Sequence, residues 1–224
     1  LPTQAADTSG SAVVVMYHRF GESVHPSTNI RLEQFEAHLA ELAKPQYTVL
    51  PLPEIIARLR AKQPLPERTV GISIDDAFLS VYRQAFPRLK KAGLPFTLFV
   101  ATDPVDRGIG GYMSWDQIRE MQKAGATIGS QTHTHLHMAR SNATLNAADL
   151  ATSNARFAAE LGGAPKIIAY PYGEYSLAVG KTAKQAGFTA GFGQHSGVLH
   201  PNADMSYLPR FAMNEKYGDL TRLR

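Results

Sequence analysis

Short runs of β-branched and aliphatic residues alternate along this chain with segments whose apolar residues recur at helical spacing. That alternation narrows the available folds more than any other feature. VVVMY (13–17), TVGISID (69–75), PFTLFVA (95–101), ATIGS (126–130), KIIAYPYG (166–173) and FTAGFG (188–193) read as strands. Between them, RLEQFEAHLAEL sets Leu32, Phe35, Leu39 and Leu42 on one helical face. YTVLPLPEIIARLRAKQ reads as a strand, a Pro-marked turn and a helix, and AFLSVYRQAFPRLKKAG as a helix stopped by Gly93. SWDQIREMQKAG is expected to start at an N-cap, Ser114, and to end before Gly125. ATLNAADLATSNARFAAELG and SLAVGKTAKQAG add two further helices. Strands alternating with helices over short connections require parallel strands joined by crossover helices. About seven such units suit a closed or nearly closed α/β barrel better than an open sheet, a doubly wound sheet being the alternative, and 224 residues suffice for either as a single domain.

Residues 12–224 are expected to form this catalytic domain. Residues 1–11 read as a flexible tail, small and polar, of the kind left after signal-peptide removal, so export to the periplasm or cell exterior is expected. The absence of cysteine excludes disulfides and thiolate zinc sites. Lys and Arg are scattered and the net charge is only +4, which argues against a nucleic-acid partner. No apolar run approaches the roughly 20 residues of a membrane-spanning helix.

Active sites of such barrels lie at the C-terminal strand ends, and four strands here run into unusual polar residues. VVVMY ends in His18, VGISI in Asp75-Asp76, ATIGS in QTHTHLH and KIIAY in PYGEY. One Asp of the pair is explained by helix capping; two adjacent carboxylates after an apolar strand suggest a metal ligand beside a group facing substrate. Among the clustered histidines, His133 and His137 share a face if the segment is helical, and His133 and His135 share one if it is extended. Either pair with one Asp makes an open two-His, one-carboxylate set.

SIDDAF, HTHLH and YPYGEY, in that order and at those strand ends, resemble the three motifs of NodB-type polysaccharide deacetylases, metal-dependent carbohydrate esterases, and so imply their fold, a deformed (β/α)7-type, TIM-barrel-like single domain. Those motifs are a strand followed by Asp-Asp-Gly, then His-Ser/Thr-x-x-His, then Pro-Tyr-Gly. The resemblance covers residues 12–212 and implies a hydrolase that removes N-acetyl groups from an N-acetylglucosamine-containing glycan. It implies Asp75 as general base, Asp76, His133 and His137 as ligands of a divalent metal, and His135 as a bystander. Zn²⁺ is the expected metal, with Co²⁺, Ni²⁺ or Mn²⁺ as alternatives. It further implies that Pro171 and Tyr172 border the substrate, the Tyr172 backbone N–H holding the oxyanion. VVVMYHRF resembles the circularly permuted branch of exported poly-N-acetylglucosamine deacetylases, making His18 the general acid, with His195 second and His200 a loop residue.

Two departures accompany the resemblance. Ala77 replaces the motif glycine and is expected at negative φ. Ala169 stands where an arginine usually steadies the base, so Arg210 is expected to substitute from the last strand. Trp115 and Tyr112 are expected to stack on sugar rings. Two rival readings are an amidohydrolase-type barrel, which would use His133 and His135 together, and a catalytically silent carbohydrate-binding protein.

Overall fold

The β-branched runs form strands and the helical-period segments form helices in a computed structural model that describes residues 10–224. The expected tail lies outside the described residues as far as residue 9. The strands are β1 (Ala12–Tyr17), β2 (Arg19–Phe20), β3 (Asn29–Ile30), β4 (Thr48–Val49), β5 (Thr69–Asp75), β6 (Thr97–Val100), β7 (Thr127–Ser130), β8 (Ile167–Ala169), β9 (Ala190–Phe192) and β10 (Phe211–Ala212). The helices are α1 (Leu32–Leu42), α2 (Leu52–Arg60), α3 (Phe86–Ala92), α4 (Thr102–Asp106), α5 (Trp115–Lys123), α6 (Ala143–Leu161), α7 (Leu177–Gln185) and α8 (Leu220–Leu223).

The main sheet runs in the order β10-β1-β5-β6-β7-β8-β9, with β4 paired to the start of β5. Its named pairs are all parallel. The sheet curls until its edges meet across the segment leading into β10. There the Gly191 N–H donates to the Met205 carbonyl, the Leu208 N–H to the Gly191 carbonyl and the Gly193 N–H to the Leu208 carbonyl, each bond 2.8 Å long. The result is the expected deformed barrel, irregular at this seam.

Strand alternation sorts side chains into an inner and an outer layer. Val14, Phe99, Ala169 and Phe192 pack together, while neighbours Val15, Leu98 and Val100 pack with the helix residues Phe35, Ile118, Met121 and Phe157. Gly129 on β7 is required by this packing, because a Cβ there would lie 2.5 Å from the Phe99 ring. The expected continuous helix 77–93 instead begins with a π-turn, Val81–Ala85, before α3. Pro87 explains the break: it has no N–H to continue the ladder, and the Phe86 N–H reaches back five residues to Val81.

His38 on α1 joins three segments. Its Nδ1 accepts from the Tyr17 hydroxyl at 2.7 Å, and its Nε2 donates to the Gly218 carbonyl at 2.8 Å. Burial lowers the His38 pKa from its ordinary value, against a smaller raising effect of the Gly218 carbonyl. The folded state therefore binds this proton less readily than the unfolded chain does. The stabilisation is complete above the unfolded value of about 6.5 and is lost as pH falls below it. Thermal unfolding between pH 7.5 and 5.5 is expected to show falling stability, by at most about 1.4 kcal/mol per pH unit from this one group. His38→Asn is expected to flatten that slope; an unchanged slope would remove His38 as its source.

Candidate active site

Strand pairing sets His18 beside Asp75. The β1–β5 register matches Tyr17 with Ile74, so the next residue of each strand emerges side by side at the C-terminal rim. His18 Nε2 lies 3.7 Å from Asp75 Oδ2. Arg210, just before β10, enters the barrel from the other side and is, like Asp75, fully buried. Its guanidinium meets the carboxylate with both arms, at 2.7 Å to Oδ1 and 2.9 Å to Oδ2. Its remaining donors reach the Gly193 carbonyl at 2.8 Å and the Ser73 hydroxyl at 3.2 Å. Phe99 and Phe192 flank the guanidinium, at 5.5 and 6.0 Å from their ring centres. Bidentate geometry and a bonded partner for every guanidinium nitrogen are what a buried arginine requires.

The chain turns sharply after Asp75. Asp76 and Ala77 both take left-handed conformations, with φ of 78° and 55°. The expectation of negative φ at Ala77 is thereby corrected, since the turn places the residue where the motif glycine would be free of strain. This turn carries the Asp76 carboxylate away from Asp75. Its Oδ1 is buried and has no hydrogen-bond partner among the described residues. Two side chains of the loop after β7 meet Asp76: His135 Nε2 is 3.4 Å from Oδ1, and Gln131 Oε1 accepts the Asp76 backbone N–H at 2.9 Å. The Asp76 pKa lies below its ordinary value. Burial alone would raise it, but the His135 contact, the charges of His18 and His135 and the Gln131 amide outweigh that effect.

The expected pairing of His133 and His137 on Asp76 is not what the fold assembles. Thr132 and His135 adopt φ of 72° and 54°, so the loop follows neither a helical nor an extended path. His133 Nδ1 bonds the Thr102 hydroxyl at 2.7 Å, and its Nε2 faces Asp103 at 3.8 Å. His137 donates from Nδ1 to Glu174 at 2.9 Å and lies flat against Tyr172, with ring centres 4.0 Å apart. The joint use of His133 and His135, which the amidohydrolase reading needs, is not assembled either. His135, expected to be a bystander, is the imidazole at Asp76.

Pro171 is buried and starts a short turn in which Tyr172 takes φ of 61° with its ring half-exposed. Tyr172, Tyr112 and His135 share a cleft of about 260 Å³ with Asp76, Asp103 and Arg107. Trp115 is not a sugar platform: it is buried against Phe157, and its Nε1 donates to Asp106 at 2.8 Å. His195 packs on Tyr207, with ring centres 4.1 Å apart, while its carbonyl receives the Arg210 N–H. Burial and the Arg210 charge hold the His195 pKa below its ordinary value.

Comparison with known proteins identifies the family to which this fold belongs. The family model described as "Polysaccharide deacetylase" matches residues 62–191, more than half of the chain. A poly-beta-1,6-N-acetyl-D-glucosamine N-deacetylase of Staphylococcus aureus is 30% identical over 203 residues, covering 84% of this chain and 68% of the relative. The chain belongs to the polysaccharide deacetylase family. Its similarity extends to a putative polysaccharide deacetylase, YxkH, of Bacillus subtilis, 28% identical over 88% of this chain and 69% of the relative. The solved structure of IcaB from Ammonifex degensii superposes with a TM-score of 0.85 at 29% identity, covering 95% of each chain. A Streptococcus pyogenes deacetylase, PplD, shares the fold, with a TM-score of 0.87 at 20% identity over 95% of this chain and 96% of that one. His18 and Arg210 lie outside the stretch matched by the family model.

The family implies a divalent metal, and the donor chemistry tests that implication. Among the described residues no three His, Cys, Asp or Glu side chains converge in a metal-holding group. The orphaned Asp76 Oδ1 and the His135 imidazole are two suitable donors. The third partner at this point is Gln131, whose amide oxygen is neutral and already accepts a hydrogen bond. The residues therefore do not fit the expected set of two histidines and one carboxylate. The second motif also shifts register: Gln131-Thr132-His133-Thr134-His135 keeps the family spacing, with glutamine in the first histidine position. Thr132 after Gln131 and His135 four residues on were the sequence signals for this register, masked by the extra histidines at 133 and 137.

Proposed function

We propose that this chain removes the acetyl group from N-acetylglucosamine units of a polysaccharide, with Asp75 and His18 moving the protons. The observation that carries the reading is the buried Asp75–Arg210 pair with His18 beside it at the rim. The activity of the Staphylococcus aureus relative, a poly-beta-1,6-N-acetyl-D-glucosamine N-deacetylase, supports a poly-N-acetylglucosamine substrate. In this reading the acetamide sits in the cleft bordered by Tyr112, Tyr172 and Arg107. Water attacks the carbonyl carbon, and Asp75 accepts the proton that it loses as the C–O bond forms. The Tyr172 backbone N–H faces the oxygen on which negative charge develops. When the tetrahedral species collapses, the C–N bond breaks. His18 supplies the proton that lets the sugar leave as an amine, and acetate is released.

Acetate release from β-1,6-linked poly-N-acetylglucosamine, followed enzymatically, tests this reading. His18→Asn is expected to lower kcat by about 10²–10⁴-fold while leaving the fold intact. Release within a few-fold of the parent would remove His18 as the acid. Gln131 at a donor position favours a second reading, a chain that holds the glycan without turning it over. Glycan binding without acetate release under Zn²⁺, Co²⁺, Ni²⁺ or Mn²⁺ would establish that alternative.

A further inference from the structure

We propose that Gln131 stands at the third donor position of this centre, so that Asp76 and His135 alone fall short of a full divalent-cation site, and that Gln131→His completes a three-donor site. The inference rests on side-chain placement and is independent of which glycan, if any, is hydrolysed.

Residue 131 is fixed where a third donor belongs. Its N–H bonds the Val100 carbonyl at 2.8 Å, continuing the β6–β7 ladder past Ser130, and the residue is buried at the barrel rim. Its side chain bends onto the Asp76 backbone, while His135 approaches the same aspartate from the other end of the loop. Asp76 Oδ1 is thus buried between an imidazole and an amide, with no hydrogen bond among the described residues. Apart from the 3.4 Å approach of His135, this buried oxygen has no partner among the described residues, and a third donor at residue 131 would let a cation bridge the three groups.

The amide does not replace an imidazole. Its nitrogen has no lone pair to give, and its oxygen is neutral and receives the Asp76 N–H. Zn²⁺ favours imidazole nitrogen, thiolate and carboxylate, and its catalytic sites use three protein ligands. Neither neighbouring histidine makes up the loss. His133 is tied to Thr102, and His137 is tied to Glu174 and stacked on Tyr172.

The test is equilibrium metal binding by the full chain, measured by competition with a chromophoric chelator for Zn²⁺ and by visible absorption for Co²⁺. The parent is expected to bind at least roughly 100-fold more weakly than Gln131→His, since even loss of a group supporting a ligand costs 10–100-fold. His135→Ala is expected to abolish binding in both backgrounds. His133→Ala and His137→Ala should leave it unchanged. Gln131→Glu keeps the acceptor oxygen for Asp76 and adds an anionic donor, covering the case in which an imidazole fails to pack. Thermal unfolding checks that each variant is folded.

Stoichiometric Zn²⁺ binding by the parent as tight as that of Gln131→His would overturn the proposal. So would loss of parent binding on substitution of His133 or His137. Acetate release is read separately, so failure of the deacetylase reading leaves these affinities interpretable. Turnover by the parent with weak metal binding would leave the donor assignment standing.

Discussion

Arg210→Met is expected to destabilise the chain by about 3–5 kcal/mol, because it leaves the Asp75 carboxylate buried without its counter-charge. Both side chains are fully buried, so bulk water screens the lost charge only weakly. Methionine fills much of the arginine stem's volume, which confines the loss to the charge and its hydrogen bonds. Beyond Asp75, the guanidinium serves the Gly193 carbonyl and the Ser73 hydroxyl, and those acceptors lose a donor as well. For a domain of this size the melting temperature should fall by roughly 6–20 °C, at about 2–4 °C per kcal/mol. Arg210→Lys should recover only part of this loss, since an ammonium cannot engage both carboxylate oxygens as a planar fork does. A fall of under 1 kcal/mol in urea unfolding would show that the pair contributes little. The double variant Asp75→Asn/Arg210→Met should cost less than the sum of the singles, because contacting charges are not additive.

Asp75→Asn is expected to lower kcat for acetate release by about 10²–10⁴-fold, the usual contribution of a positioned proton acceptor. The amide is nearly isosteric with the carboxylate, yet it cannot take the proton of the attacking water. It also turns an NH₂ group toward one arm of Arg210, where the native contacts are 2.7 and 2.9 Å. Two donors then face each other in a buried site, which should cost about 1–3 kcal/mol of stability. Kinetics and unfolding must therefore be measured together. Activity loss in a chain that remains folded at the assay temperature assigns Asp75 to the chemistry, whereas kcat within a few-fold of the parent would exclude it. KM should change little, because Asp75 is buried and does not line the cleft that would receive the sugar.

Local signals carried much of this outcome. The strands 13–17 and 69–75 were legible because a run of Val and Ile has few other uses in a short segment. The polar residues at strand ends were legible because an apolar strand that stops at His18 or Asp75 leaves them at the rim. The π-turn before α3 follows from Pro87, although the helical period of the flanking residues concealed it. Trp115 misled because an aromatic at a helix start serves a sugar site or a core equally well in sequence. Only its contacts with Asp106 and Phe157 separate the two.

The sequence by itself determined the repeating strand–helix order, the family motifs and the set of polar residues gathered at one face. These depend on periodicity and on neighbours a few positions apart, which a chain displays without folding. Only the tertiary structure decided which histidine meets Asp76, and that Gln131 stands opposite it. That choice depends on left-handed turns at Thr132 and His135, conformations that no side-chain pattern announces. The Arg210–Asp75 contact is expected from the missing arginine at position 169, but its two-armed geometry across 135 residues comes from barrel closure. Local chemistry sets the available groups, and long-range packing sets the distances that turn them into a site.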